Sequence, residues 1–313
     1  MTRLVLLCAW FCALACVVAA SPAQAVAGLT FTYVSNTGSN SNNCATPATA
    51  CADFATALSK TASFGEIDCV NAGLYGTLTI AQSVTIDCAG AVGATQGPIT
   101  INAAGIVVRL RNMSVNSTGV ISTAITAENM AALYIENCVI SNYSDLGINF
   151  EPSSGTSLLS VTNSIISNNG TSGGGITGGI YITPASGVTA TVSIDRSEIN
   201  GNYFGIVGDG RSGGTIRGTI SDSVVSGSAK NGITALSSGS SVVFIIDQTK
   251  VSGNLAGLYA SGSNAGILAR NTTVFNNTIG LDSASGGALY TYGNNSVNGN
   301  TTNGSFTGTA ALQ

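Results

Sequence analysis

The chain has 313 residues, a formal charge of −4, only 8% charged residues, 40 glycines and no histidine. Without a basic cluster to neutralise phosphates, a nucleic-acid partner is disfavoured. Apolar residues recur in strict rows, which an intrinsically disordered chain of this polarity would lack.

Residues 1–25 read as a targeting segment. Arg3 supplies a positive start, Leu4 to Ala20 an apolar core, and Ala23-Gln24-Ala25 a small-x-small cleavage site. The apolar run is short for a membrane span, so the remaining chain is expected to be secreted, periplasmic or held at the cell surface, with no membrane span.

Residues 26–65 read as an N-terminal cap. Leu29-Thr-Phe-Thr-Tyr-Val34 alternates like a strand, and Asp53 N-caps a short helix carrying Phe54, Ala57 and Leu58 on one face. An oxidising destination makes Cys44, Cys51, Cys69 and Cys88 candidates for pairing. Cys69 and Cys88 close matching phrases, Ile67-Asp-Cys and Ile86-Asp-Cys, and equivalent positions on adjacent coils lie about 4.8 Å apart, within disulfide reach. Cys44 with Cys51 closes a short loop. The cysteine spacing fits no common zinc site, and no cofactor motif is present. Cys138 is left over as a buried structural thiol.

Residues 66–300 read as stacked strand coils, in which one phrase recurs from Arg109 onward. Its anchor residues are Val115, Ile140, Ile166, Ile199, Val225, Val251, Val274 and Val297, at spacings of 25, 26, 33, 26, 26, 23 and 23. Such periods mean a solenoid, and short alternating runs punctuated by Gly, Asn and Ser mean strands rather than helices. Five before each anchor an inward row runs from Leu110 through Ile194 to Tyr292. Three before it stands a polar row from Asn112 to Asn294, suited to a left-handed corner, and three after it a second, from Asn169 to Asn300. Both polar rows are read as structural. Four before the anchor a charged row, including Asp68, Asp87, Arg111, Glu136, Asp195, Asp247 and Arg270, reads as a solubilising face. Residues 301–313 carry no further anchor and read as an irregular tail.

The cysteine cap, Gly65-Glu-Ile-Asp-Cys69, Tyr75-Gly-Thr-Leu-Thr-Ile80, the Asn-Ser-x-Ile coils and Tyr292-Gly-Asn-Asn-Ser-Val-Asn-Gly-Asn300 together resemble the bacterial secreted right-handed parallel β-helix proteins of the pectate-lyase-like superfamily. The resemblance implies an all-β, right-handed parallel β-helix. Enzymes of that superfamily mostly bind polysaccharide in a groove on one sheet. The chain lacks the Gly-His-Gly of polygalacturonase-like members and the Arg-x-Pro-x-x-Arg of pectate lyases, so neither set of catalytic residues carries over.

Two functions stay open on the face that follows the Gly-Ile pairs. The first is a non-catalytic glycan- or partner-binding solenoid, with Asn149, Tyr181 and Tyr259 on an outward row. The second is a divergent polysaccharide hydrolase or lyase. There Glu151 and Asp209, two coils and about 9.6 Å apart, approach the roughly 6.5–9.5 Å of inverting glycosidases, with Arg211 following. The bland reading of both carboxylates is solvated loop ends.

Overall fold

A computed structural model describes residues 28–91, 93–95, 97–117 and 122–311; the expected targeting segment lies outside them. They form a parallel β-helix of three sheets, with twelve, ten and nine strands among the described residues. A typical coil runs through Thr189–Asp195 in the twelve-strand sheet, Glu198–Asn200 in the ten-strand sheet and Phe204–Asp209 in the nine-strand sheet. All described strand pairings are parallel, each between successive coils.

The repeat phrase maps onto this register. Every anchor pairs with the next along the ten-strand sheet, from Val115 and Ile140 to Val274 and Val297. The inward row pairs likewise from Leu110 to Ala269. Its last member differs from the expectation: Thr291, not Tyr292, pairs with Ala269, because the final coil has one more residue between this row and its anchor. Apolar rows of all three sheets meet in one core, where Ile194, Ile199 and Ile206 are wholly buried.

Polar residues fix two corners. Three before the anchor, Asn112, Asn137, Asn163, Arg196, Asp222, Gln248 and Asn271 all have left-handed backbones, φ between 45° and 55°. Asparagine tolerates that region, but Arg196 and Gln248 adopt it because the coils on either side impose it. Two before the anchor stands an internal hydroxyl stack. Ser197 Oγ accepts from the Ser164 N–H at 3.2 Å and donates to the Asp195 carbonyl at 2.9 Å. Cys138 occupies a place in this stack, 2% exposed, its thiol pushed up to about 11 chiefly by burial.

At the other corner the second polar row forms a buried asparagine ladder. Asn169 donates from its N–H and Nδ2 to Asn202 Oδ1 (3.0 and 3.1 Å), and Asn254 does the same to Asn277 (2.9 Å each). Each ladder side chain occupies the space where the glycine of the preceding coil's Gly-Ile pair would carry a Cβ. At Gly147 that atom would lie 3.0 Å from Asn169 Nδ2 and 2.7 Å from the Gly179 carbonyl. The ladder and the glycines therefore specify each other.

The N-terminal end is closed as expected. Helix Phe54–Lys60 buries Phe54, Ala57 and Leu58, and Asp53 accepts from the Thr56 N–H at 2.7 Å. Strand Leu29–Val34 already belongs to the twelve-strand sheet, and strand Thr61–Cys69 runs across the expected cap boundary. Cys44–Cys51 and Cys69–Cys88 are disulfide-bonded, with Cα separations of 5.0 and 4.6 Å. At the C-terminal end the tail departs from the expected irregularity: Phe306 packs on the core and Gly308–Thr309 pairs with the strand Ala288–Thr291.

The ladder has one weak rung. Ser228 stands where the neighbouring coils carry asparagine, and its Oγ is buried with no partner. Ser228→Asn should place an acceptor beneath Asn202 and stabilise the fold by about 1 kcal/mol, whereas Asn254→Ala should cost about 1–3 kcal/mol by orphaning buried groups. Thermal melts check both. A Ser228→Asn protein less stable than the wild type would mean that the coil has no room for the rung.

Candidate functional site

The nine-strand sheet carries the candidate face. Its strands alternate, so Ile206 and Gly208 point inward while Val207 and Asp209 point out. The expected outward row is in register: Asn149, Tyr181, Val207, Thr234, Tyr259 and Asp282 pair in succession. It is not an open surface, however, since Val207 is 1% and Thr234 2% exposed.

Asp209 departs furthest from the bland reading. It is 4% exposed, not a solvated loop end. Its Oδ1 accepts from the Arg211 N–H (3.0 Å) and Nε (2.9 Å), and its Oδ2 from Arg211 Nη2 (2.7 Å) and the Tyr181 hydroxyl (2.9 Å). Burial by itself opposes the charge, but these donors outweigh it and hold the carboxyl below its ordinary range. Burial first, and then the Asp209 charge, pushes the Tyr181 hydroxyl up to about 12. A carboxylate so fully engaged has little capacity left to activate water or protonate a leaving group.

Glu151 lies elsewhere. It lines a depression of about 520 Å³ with Asn102, Glu128, Ser153, Thr183 and Ser212, which does not include Asp209. Burial and then the Glu128 charge raise its carboxyl, against the Asn149 amide, which lowers it. The structure therefore does not bring Glu151 and Asp209 together over one cleft. Asn149 lines neither this depression nor the next, and its Oδ1 is buried without a partner. The Tyr181 ring is half-buried, with its hydroxyl committed to Asp209.

A second depression, about 460 Å³, lies further along the sheet. Val207, Thr234 and Tyr259 lie along its floor, Ile176, Phe204 and Leu236 are among its walls, and Arg211, Lys230, Asn231 and Asp282 supply polar groups. The Lys230 ammonium also stands 5.8 Å from the Tyr203 ring centroid. Thr234 Oγ1 is buried with no partner. Of the residues singled out in the sequence, Tyr259 and Arg211 meet here. Lys230, Phe204 and Ile176 did not stand out, although the 33-residue spacing that introduces Ile176 was visible. Among the described residues no group of three or more metal-ligating side chains assembles, and no helix is long and apolar enough to cross a membrane.

Because the folded Asp209 carboxyl titrates below its unfolded value, its stabilising contribution is complete above the unfolded pKa, about 3.9, and is lost as pH falls through the folded pKa. Asp209→Asn should thus be less stable than the wild type at neutral pH, by on the order of 1–2 kcal/mol for weakened charged hydrogen bonds. The gap should shrink below about pH 3.9. Chemical denaturation of both proteins across that range measures it; a gap independent of pH would show that the carboxylate charge is not what Arg211 and Tyr181 stabilise.

Neither a family model nor a curated protein matches the sequence. A solved structure does: the crystal structure of pectate lyase Pel9A, at 15% identity with a TM-score of 0.60, over 83% of this chain and 74% of that one. At that identity the likeness establishes the fold, a parallel β-helix like that of a pectate lyase.

Proposed function

We propose that this protein is a secreted or envelope-associated β-helix that binds polysaccharide without cleaving it, in the depression bounded by Arg211, Lys230 and Tyr259. The observation that carries the reading is the engagement of Asp209 by Arg211 and Tyr181. It leaves Asp209 little capacity for acid or base work, and it fixes a guanidinium at the rim of the depression. A tyrosine ring on the floor and two cations at the edge suit a sugar polymer bearing carboxylates. The likeness to a pectate lyase supports polysaccharide as the ligand class, and two disulfides fit an oxidising compartment.

One observation favours a second reading, a divergent hydrolase or lyase. Glu151 shares its depression with Glu128, and a carboxyl raised by burial and a neighbouring charge is what a general acid needs.

Polygalacturonate is the natural first probe. Lys230→Ala and Tyr259→Ala should each weaken its binding by about 1–3 kcal/mol, roughly 5- to 150-fold, as loss of an anchor does, with unchanged melting temperatures. Glu151→Gln should leave binding unaltered. Reducing-sugar and unsaturated-product assays on the same samples should detect no turnover. Turnover that disappears in Glu151→Gln would establish the enzyme instead, and failure of acidic and neutral polymers alike to bind the wild type would end both readings.

A further inference from the structure

The depression that holds Tyr259 carries both signs of charge. Lys230, Asn231, Tyr259 and Asp282 line it half-buried. Among the described residues none of their side-chain polar atoms takes part in a hydrogen bond or ion pair, and Lys230 makes only its approach to the Tyr203 ring. Partly desolvated polar groups need partners, and here water or a ligand must supply them. Arg211 differs, because Asp209 already balances its charge. The uncompensated charges of the depression are therefore the Lys230 ammonium and the Asp282 carboxylate.

The fold sets these two charges apart. Val207, Thr234, Tyr259 and Asp282 pair in succession, so Asp282 lies two coil steps beyond Thr234, about 9.6 Å along the axis. Lys230 precedes the strand Ile233–Leu236 that carries Thr234, and Arg211 follows the strand Phe204–Asp209 that carries Val207. The cations thus flank the first two coils of this row, whereas the carboxylate stands on the row itself at its far end. Phe204 and Ile176, the latter on the insert of residues 171–177 that gives its coil the 33-residue spacing, add apolar walls that limit screening by water. A chain lying along the row and anionic at every unit is attracted at Lys230 and repelled at Asp282. A chain anionic at the first position and uncharged at the second is favoured at both, because sugar hydroxyls donate to a carboxylate.

We propose that Asp282 selects the ligand: the depression takes an acidic polysaccharide whose charged sugars are interrupted by uncharged ones. A uronate lies between Lys230 and Arg211, and an uncharged sugar donates hydroxyl hydrogen bonds to Asp282. The inference rests on the reading that this depression binds polysaccharide, and it narrows the ligand from a uniformly charged polymer to a mixed one.

Galacturonan with none, half or all of its carboxyls methyl-esterified varies charge on a constant backbone. Titration calorimetry of the wild-type protein should find the half-esterified polymer bound most tightly. Asp282→Asn should strengthen binding of the unesterified, fully charged polymer by about 2- to 5-fold, the size of one exposed charge–charge interaction, and should leave the half-esterified polymer bound no more tightly. That gain should vanish in 1 M salt, where the screening length falls to about 3 Å. Lys230→Ala should instead weaken both polymers that carry charge. Tightest wild-type binding to the fully charged polymer, or an Asp282→Asn protein with wild-type affinity for it, would overturn selection by Asp282 and leave polysaccharide binding standing. No binding of any of the three polymers to the wild type would overturn both.

Discussion

Parallel stacking copies the register of one coil onto the next, and everything else in this protein answers to that copying. A side chain inside the coil sits about 4.8 Å above its equivalent, so a buried polar group has its partner supplied by the same position one coil along. The asparagine ladder exploits this: Asn169 and Asn254 each reach Oδ1 of the next rung from both backbone and side chain. The saturated amides then require a glycine beside each of them, because a Cβ there would lie about 3 Å from the amide nitrogen. Backbone pairing, ladder and Gly-Ile pairs form one interlocked device, since removing any of them orphans groups that water cannot reach.

The fold was legible in the sequence because the device repeats. Anchors, inward row and both polar rows appear as columns once the chain is cut at its period, and pairing of Cys69 with Cys88 follows from their shared column. What failed was local. Tyr292 was misplaced because counting from the anchor presumes a constant corner, and that corner gains one residue. Asp209 was misjudged because alternation gives the direction of a side chain but not what folds over it. The donors that bury its charge come from its own turn and from Tyr181 one coil away, a combination that no periodic count contains.

The candidate site was half visible for the same reason. Tyr259 could be assigned to the outward face by period two, whereas Lys230, Ile176 and Arg211 lie in corners between strands and Phe204 is the first residue of its strand. Corner segments do not obey the alternation, so where their side chains go depends on the loop each corner makes. The charged row on the twelve-strand sheet shows the contrast. Its positions follow the period, although Thr162 and Ser221 interrupt the charges, and members that are neighbours pair along the stack, as in Arg111 with Glu136 and Arg270 with Asp247.

A solenoid that repeated perfectly would present the same surface at every coil and could recognise little beyond another periodic object. Specific recognition has to be built from departures, and departures cost least at corners, where no strand pairing is interrupted. The insert at 171–177 and the turn carrying Arg211 and Ser212 are two such departures, and both flank the same stretch of the nine-strand face. Both put side chains onto that face, Ile176 from the insert and Arg211 from the turn. The ladder supports this indirectly, because the rungs at Asn169 and Asn202 hold the coils before and after the insert in register. Seven added residues thus reshape the surface without displacing the strands on which Asp209 and Tyr259 are mounted.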